Sequence, residues 1–71
     1  GSADALVGTS RLLAGERKWP EAIAAVDRAL ASEPADADAL MLKGDLLRAS
    51  GNLVDAEDAY KKLIAAHPQH V

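Results

Sequence analysis

The sequence predicts an all-α fold of tandem antiparallel helical hairpins, and three observations support this prediction. Ten of the residues from Ala3 to Asp36 recur unchanged 34 positions later, and the run Ala3 to Leu6 returns as Ala37 to Leu40. The chain has 16 Ala and 10 Leu against four Val, two Ile and no Phe, which favours helix over strand. Apolar residues recur at helical spacing between breaks that contain Gly or Pro, and this pattern predicts two helices in each unit.

The first helix has the weakest local signals. Leu6, Ser10 and Leu13 share one face at helical spacing. Residues 8–10 are poor helix formers, so this helix is the one most prone to fray. A break follows over residues 15–19.

The second helix begins near Pro20, because proline suits the first turn of a helix. Pro34 ends it, and the short connector that follows favours antiparallel neighbours. Its expected buried face consists of Ala22, Ile23, Val26, Ala29 and Leu30.

The second unit repeats this pattern with clearer punctuation. Either Asp36 or Asp38 can cap the third helix. Gly51 can take the left-handed conformation that ends this helix, and Pro68 ends the next one. The apolar stripes at helical spacing are Leu40, Gly44 and Leu47 on the third helix, and Leu53, Ala56, Tyr60, Leu63 and Ile64 on the fourth.

These boundaries predict one domain. Residues 1–2 read as a cloning remnant, residues 3–36 form the first unit and residues 37–70 form the second. Because the chain has no Cys and no cluster of metal ligands, helix packing or association must stabilise it. The absence of Cys leaves both cytoplasm and periplasm open as compartments.

Charge and composition exclude several classes of function. The net charge is −3, and Trp19 and Tyr60 are the two aromatic residues, so the basic and aromatic footprint of a nucleic-acid-binding protein is missing. No apolar run approaches the roughly 20 residues needed to span a bilayer, so we expect a soluble chain without membrane insertion. His67 and His70 supply only two metal ligands, so no metal site or cofactor is expected.

The 34-residue period and the residues at fixed places in the second unit resemble the tetratricopeptide repeat. The matching residues are Leu40, Gly44, Gly51, Ala56, Tyr60 and Pro68. The first unit departs from this pattern twice, because Arg17 replaces the turn glycine and Val26 replaces the aromatic residue. Gly15 is an alternative turn residue if the first helix is shorter. The resemblance implies two repeats forming a four-helix fragment of an α-solenoid.

The resemblance also implies a function. Such repeats present a concave groove that binds a peptide or protein segment, which predicts an interaction scaffold and no enzyme activity. We expect Arg11 and Asp45 to form an exposed ion pair, and Arg48 to bind a carboxylate of a ligand. The groove residues implied by the resemblance are Val7, Arg11, Met41, Leu42, Asp45 and Arg48.

An alternative function is assembly into a homo-oligomer. Repeat arrays normally finish with an extra polar-faced helix, and no such helix follows the second unit in this sequence. Tyr60, Leu63 and Ile64 are therefore expected to be partly uncovered and to pair with a second copy. A third interpretation is that the two units are internal repeats of a longer solenoid, and the sequence does not separate these two readings.

Overall fold

The computed structural model describes residues 2–68, and within this range all the regular structure is helical. The all-α prediction is confirmed. None of these helices combines the length and the apolar character needed to cross a bilayer. The four helices are α1 (Ser2–Gly15), α2 (Trp19–Ser32), α3 (Ala37–Ala49) and α4 (Leu53–Ala66).

The two hairpins turn in the same way at positions 34 residues apart. Arg17 (φ 60°) and Gly51 (φ 93°) both take the left-handed conformation. The next residue in each turn donates its backbone N–H to a carbonyl five residues earlier, with distances of 3.0 Å for Lys18 to Leu13 and 2.8 Å for the second turn. The alternative that Gly15 makes the first turn is wrong, because Gly15 is the last residue of α1.

Local signals also define the start of α2 and α3. Pro20 lies in the first turn of α2, where its missing N–H costs nothing. Asp36 caps α3, since its Oδ1 accepts a hydrogen bond from the backbone N–H of Ala39 at 3.0 Å. Of the two predicted caps, Asp36 is therefore the one used.

The main core joins the first hairpin to α3. Ser10 is fully buried in this core, and its hydroxyl donates a hydrogen bond to the backbone carbonyl of Ala22 at 2.7 Å. A smaller cluster lies between α3 and α4, and the half-buried Ile23 of α2 packs against both. The buried residues of the main core are Ala3, Val7, Ala22, Val26, Ala29, Ala39 and Leu46.

Polar contacts also connect the hairpins. Lys43 Nζ of α3 lies 2.6 Å from Asp27 Oδ1 of α2. His67 Nε2, just after α4, donates to the carbonyl of Ala35 in the connector between the hairpins. The two hairpins thus lie side by side and share one seam.

Candidate functional site

The residues predicted to line the groove lie on α1 and α3. We call this surface the α1/α3 face and define it by the residues that are at least partly exposed there. They are Arg11, Met41, Leu42, Asp45 and Arg48. Helices α1 and α3 contact each other, so these residues lie on neighbouring helices.

Val7 was predicted to bind a partner, and this prediction is wrong. Its side chain is only 7% exposed and belongs to the main core with Ala39 and Leu46 of α3. The helical position that carries Val7 points at the second hairpin instead of at solvent. Val7 therefore holds the hairpins together.

Met41 and Leu42 form the apolar part of the face. Met41 occupies the position of Val7 in the second repeat and is 38% exposed. Leu42 is half-buried, because part of its side chain packs against the main core. Met41 therefore offers most of the adaptable apolar surface at this site.

Asp45 is held by contacts within its own hairpin. It accepts a hydrogen bond from the hydroxyl of Tyr60 on α4, and its Oδ1 lies 3.8 Å from Arg48 Nη2. Burial of Tyr60, followed by the hydrogen bond and the negative charge of Asp45, raises the pKa of the phenol above 10.0. The predicted Arg11 to Asp45 ion pair is wrong, since among the described residues Asp45 pairs with Arg48.

The two arginines of the face remain accessible. The side chain of Arg48 is 67% exposed, and its ion pair with Asp45 is long, so the pair contributes little stability. Arg11 is also exposed. The face therefore presents two guanidinium groups, which are well suited to bind carboxylates in pairs of parallel hydrogen bonds.

A cleft of about 320 Å³ lies elsewhere, between α2, α3 and α4. The sequence did not predict a concavity there. The sequence signal that could have indicated this cleft is that charged residues of α2 and α4 lie beside apolar residues of the same helices. The lining residues are Ile23, Asp27, Leu30, Leu40, Lys43, Leu47, Asp55, Asp58, Ala59 and Lys62.

The predicted self-association residues have different environments. Leu63 is only 4% exposed, so the prediction that it is uncovered is wrong. Tyr60 is half-buried and bonded to Asp45, whereas Ile64 is 53% exposed. Leu53, the first residue of the apolar stripe of α4, is exposed as well.

Within residues 2–68, no group of three or more metal-binding side chains is close enough to hold an ion. His70, which the sequence paired with His67 as an insufficient set of ligands, lies outside the described residues.

Comparisons with known proteins agree with the repeat architecture. A family model described as "Tetratricopeptide repeat" matches residues 7–71, which covers most of the first hairpin and all of the second. Neither the curated proteins nor the solved structures that were compared with the chain give a match.

Proposed function

The chain belongs to the tetratricopeptide repeat family, and we propose that it is a scaffold that holds a peptide or protein segment on its α1/α3 face. Repeats of this family are non-catalytic and generally mediate protein–protein interactions. The observation that supports this site is the exposed Met41 on the same face as the exposed Arg11 and Arg48.

The chemistry of the face defines the partner. Guanidinium groups favour carboxylates, and a methionine side chain adapts its shape to an apolar group. The hydrogen bond from the Tyr60 hydroxyl orients the Asp45 carboxylate, which places a negative charge beside Arg48 on this face. The best ligand is therefore a segment that carries carboxylates next to an apolar side chain.

A peptide selection tests this proposal. Random peptides displayed on phage are selected on the wild-type protein, and the selected peptides are then measured against Met41→Glu/Arg48→Glu. We expect acidic and apolar peptides whose affinity falls by at least about tenfold, or roughly 1.4 kcal/mol, on this double variant.

The matched control is Val54→Glu/Lys61→Glu, which makes the same changes of charge on exposed positions of α4. This control should bind the selected peptides as the wild type does. Equal binding to the Met41/Arg48 variant, or an equal loss in the control, would show that the α1/α3 face is not the site.

Self-association is a second candidate function, which the exposure of Leu53 and Ile64 on α4 favours. Exposed apolar groups of this size lose contact with water when a second molecule covers them. Sedimentation equilibrium over a dilution series tests this function. A molecular mass that stays at the monomer value at every concentration would exclude it.

A further inference from the structure

The internal seam of this protein shows how one hairpin covers another. Four apolar residues of α3 lie at or beside the first hairpin: Ala39 and Leu46 in the main core, and Leu40 and Leu47 along the cleft that Ile23 also lines, where Leu47 packs against α4 as well. All four are buried, and Leu46 is only 2% exposed. We call these four residues the covering face of the second hairpin.

The first hairpin has the same face. The residues 34 positions earlier are identical at all four places, namely Ala5, Leu6, Leu12 and Leu13. Ala5 is exposed, and Leu12 is 68% exposed although its counterpart Leu46 is buried. Leu6 and Leu13 are half-buried against the main core, so Ala5 and Leu12 are the part of this second covering face that stays exposed.

The C-terminal hairpin presents the complementary side. In the seam, Val7, Trp19 and Leu30 of the first hairpin are buried or half-buried against the main core. Their counterparts in the second hairpin are also apolar, and all three are exposed: Met41, Leu53 and Ile64.

We propose that two copies of this chain stack head to tail, so that Ala5 and Leu12 of one copy cover Leu53 and Ile64 of the other. This inference rests on self-association as the proposed function and adds its geometry. A second copy is the partner because the free covering face repeats, residue for residue, the one that already covers this kind of hairpin. Since the two contacting faces differ, the interface is heterologous and each dimer still has one free face of each kind.

The junction between copies is weaker than the internal seam. Between two copies, Lys61 takes the place of Asp27 and Thr9 takes the place of Lys43. The ion pair of the internal seam therefore has no equivalent at this junction. Glu57 stands at the position equivalent to the apolar Ile23, which places a charge at this junction. Lys61 Nζ lies 3.0 Å from the Glu57 carboxylate and offsets part of that charge. Association should therefore be reversible and should increase with concentration.

Sedimentation equilibrium of two complementary variants tests the arrangement. Leu12→Arg removes the covering face, and Ile64→Arg removes the covered face. Each variant alone should remain monomeric at concentrations where the wild type forms dimers and larger species. An equimolar mixture should form a dimer of one copy of each variant and nothing larger, because each contributes its one intact face.

Val54→Arg is the matched control, since Val54 is exposed on α4 outside both faces, and it should associate as the wild type does. Circular dichroism verifies that each variant is folded. If a variant unfolds, Ala5→Arg replaces Leu12→Arg and Leu53→Arg replaces Ile64→Arg. Met41 is left unchanged throughout, because the proposed peptide site uses it.

The outcomes separate the two proposals. A wild type that is monomeric at every concentration overturns both self-association and stacking. Association that survives in Leu12→Arg but is lost in Ile64→Arg keeps self-association and overturns the head-to-tail arrangement, since two C-terminal hairpins would then pair with each other. A mixture that stays monomeric, or a Val54→Arg variant that fails to associate, also overturns the stacking proposal.

Discussion

The ring of Tyr60 packs directly on the backbone of Gly44, where a Cβ would lie 2.5 Å from Cε1 and 2.7 Å from Cζ. No side chain fits at this crossing of α3 and α4 while the ring keeps its position. The first hairpin solves the same crossing differently, with Ser10 and Val26 at the equivalent positions. In the first hairpin, Val26 is shorter than a tyrosine and leaves room for the Ser10 side chain. The Ser10 hydroxyl donates a hydrogen bond to the backbone carbonyl of Ala22.

Replacement of Gly44 by Ala should destabilise the protein by about 1–3 kcal/mol, because the added methyl group forces the Tyr60 ring to move. Urea unfolding measures the change. Gly8→Ala is the control, since a Cβ at Gly8 meets nothing within 4 Å, and it should stabilise the protein by about 0.5–1 kcal/mol. Additive effects of Gly44→Ala and Tyr60→Val in the double variant would contradict the steric explanation.

Ser10→Ala should cost about 1 kcal/mol, because it removes a buried hydrogen bond that links α1 to α2. Thr9→Ala is the matched control. The Thr9 hydroxyl bonds to Ala5 on the exposed side of its own helix, so its loss should be neutral or slightly stabilising. Thermal unfolding compares the two variants, and similar midpoints would show that the buried bond adds no stability.

Arg17→Gly should stabilise the protein by about 1 kcal/mol, because Arg17 holds a left-handed conformation that is strained for any residue with a Cβ. Gly51→Ala, at the same place in the second turn, should destabilise it by a similar amount. Chemical denaturation measures both. A destabilising Arg17→Gly would mean that the arginine side chain contributes more than the backbone strain costs.

Stability should decline at alkaline pH through Tyr60. Its folded-state pKa is raised above 10.0, the ordinary value, so folding favours the protonated phenol. The resulting stabilisation is complete below the unfolded pKa and is lost as pH rises through the folded pKa. The advantage of the wild type over Tyr60→Phe in urea unfolding should therefore shrink across this range.

Phenolate absorbance checks the same shift directly, because the chain has one Tyr. The native protein should titrate with a midpoint above 10.0, and Asp45→Asn should lower that midpoint by removing the adjacent charge. A native midpoint at or below 10.0 would contradict the prediction.

Much of the fold could be predicted from the sequence because its signals are local. Helix boundaries follow from Pro20, the Asp36 cap and the left-handed Gly51, all of which the structure uses. Apolar spacing predicted the stripe on each helix, and Leu53 and Ile64, at the two ends of the α4 stripe, are exposed. The first turn was harder to predict, since an arginine carries no local signal for a left-handed conformation.

The candidate site was less predictable because the outcome depends on neighbouring elements. Asp45 sits three residues from Arg48 and at the repeat position of Arg11, and sequence spacing alone does not choose between them. The structure places the Tyr60 hydroxyl beside Asp45, which holds the carboxylate within the second hairpin.

The sequence by itself determined the helices and their repetition, since both arise from residue type and from spacing along the chain. Only the tertiary structure decided which members of each repeated pair are buried. Val7 and Met41 occupy the same position in their repeats, yet Val7 is 7% exposed and Met41 is 38% exposed. The physical reason is that the second hairpin covers the first, whereas no described residue covers the second.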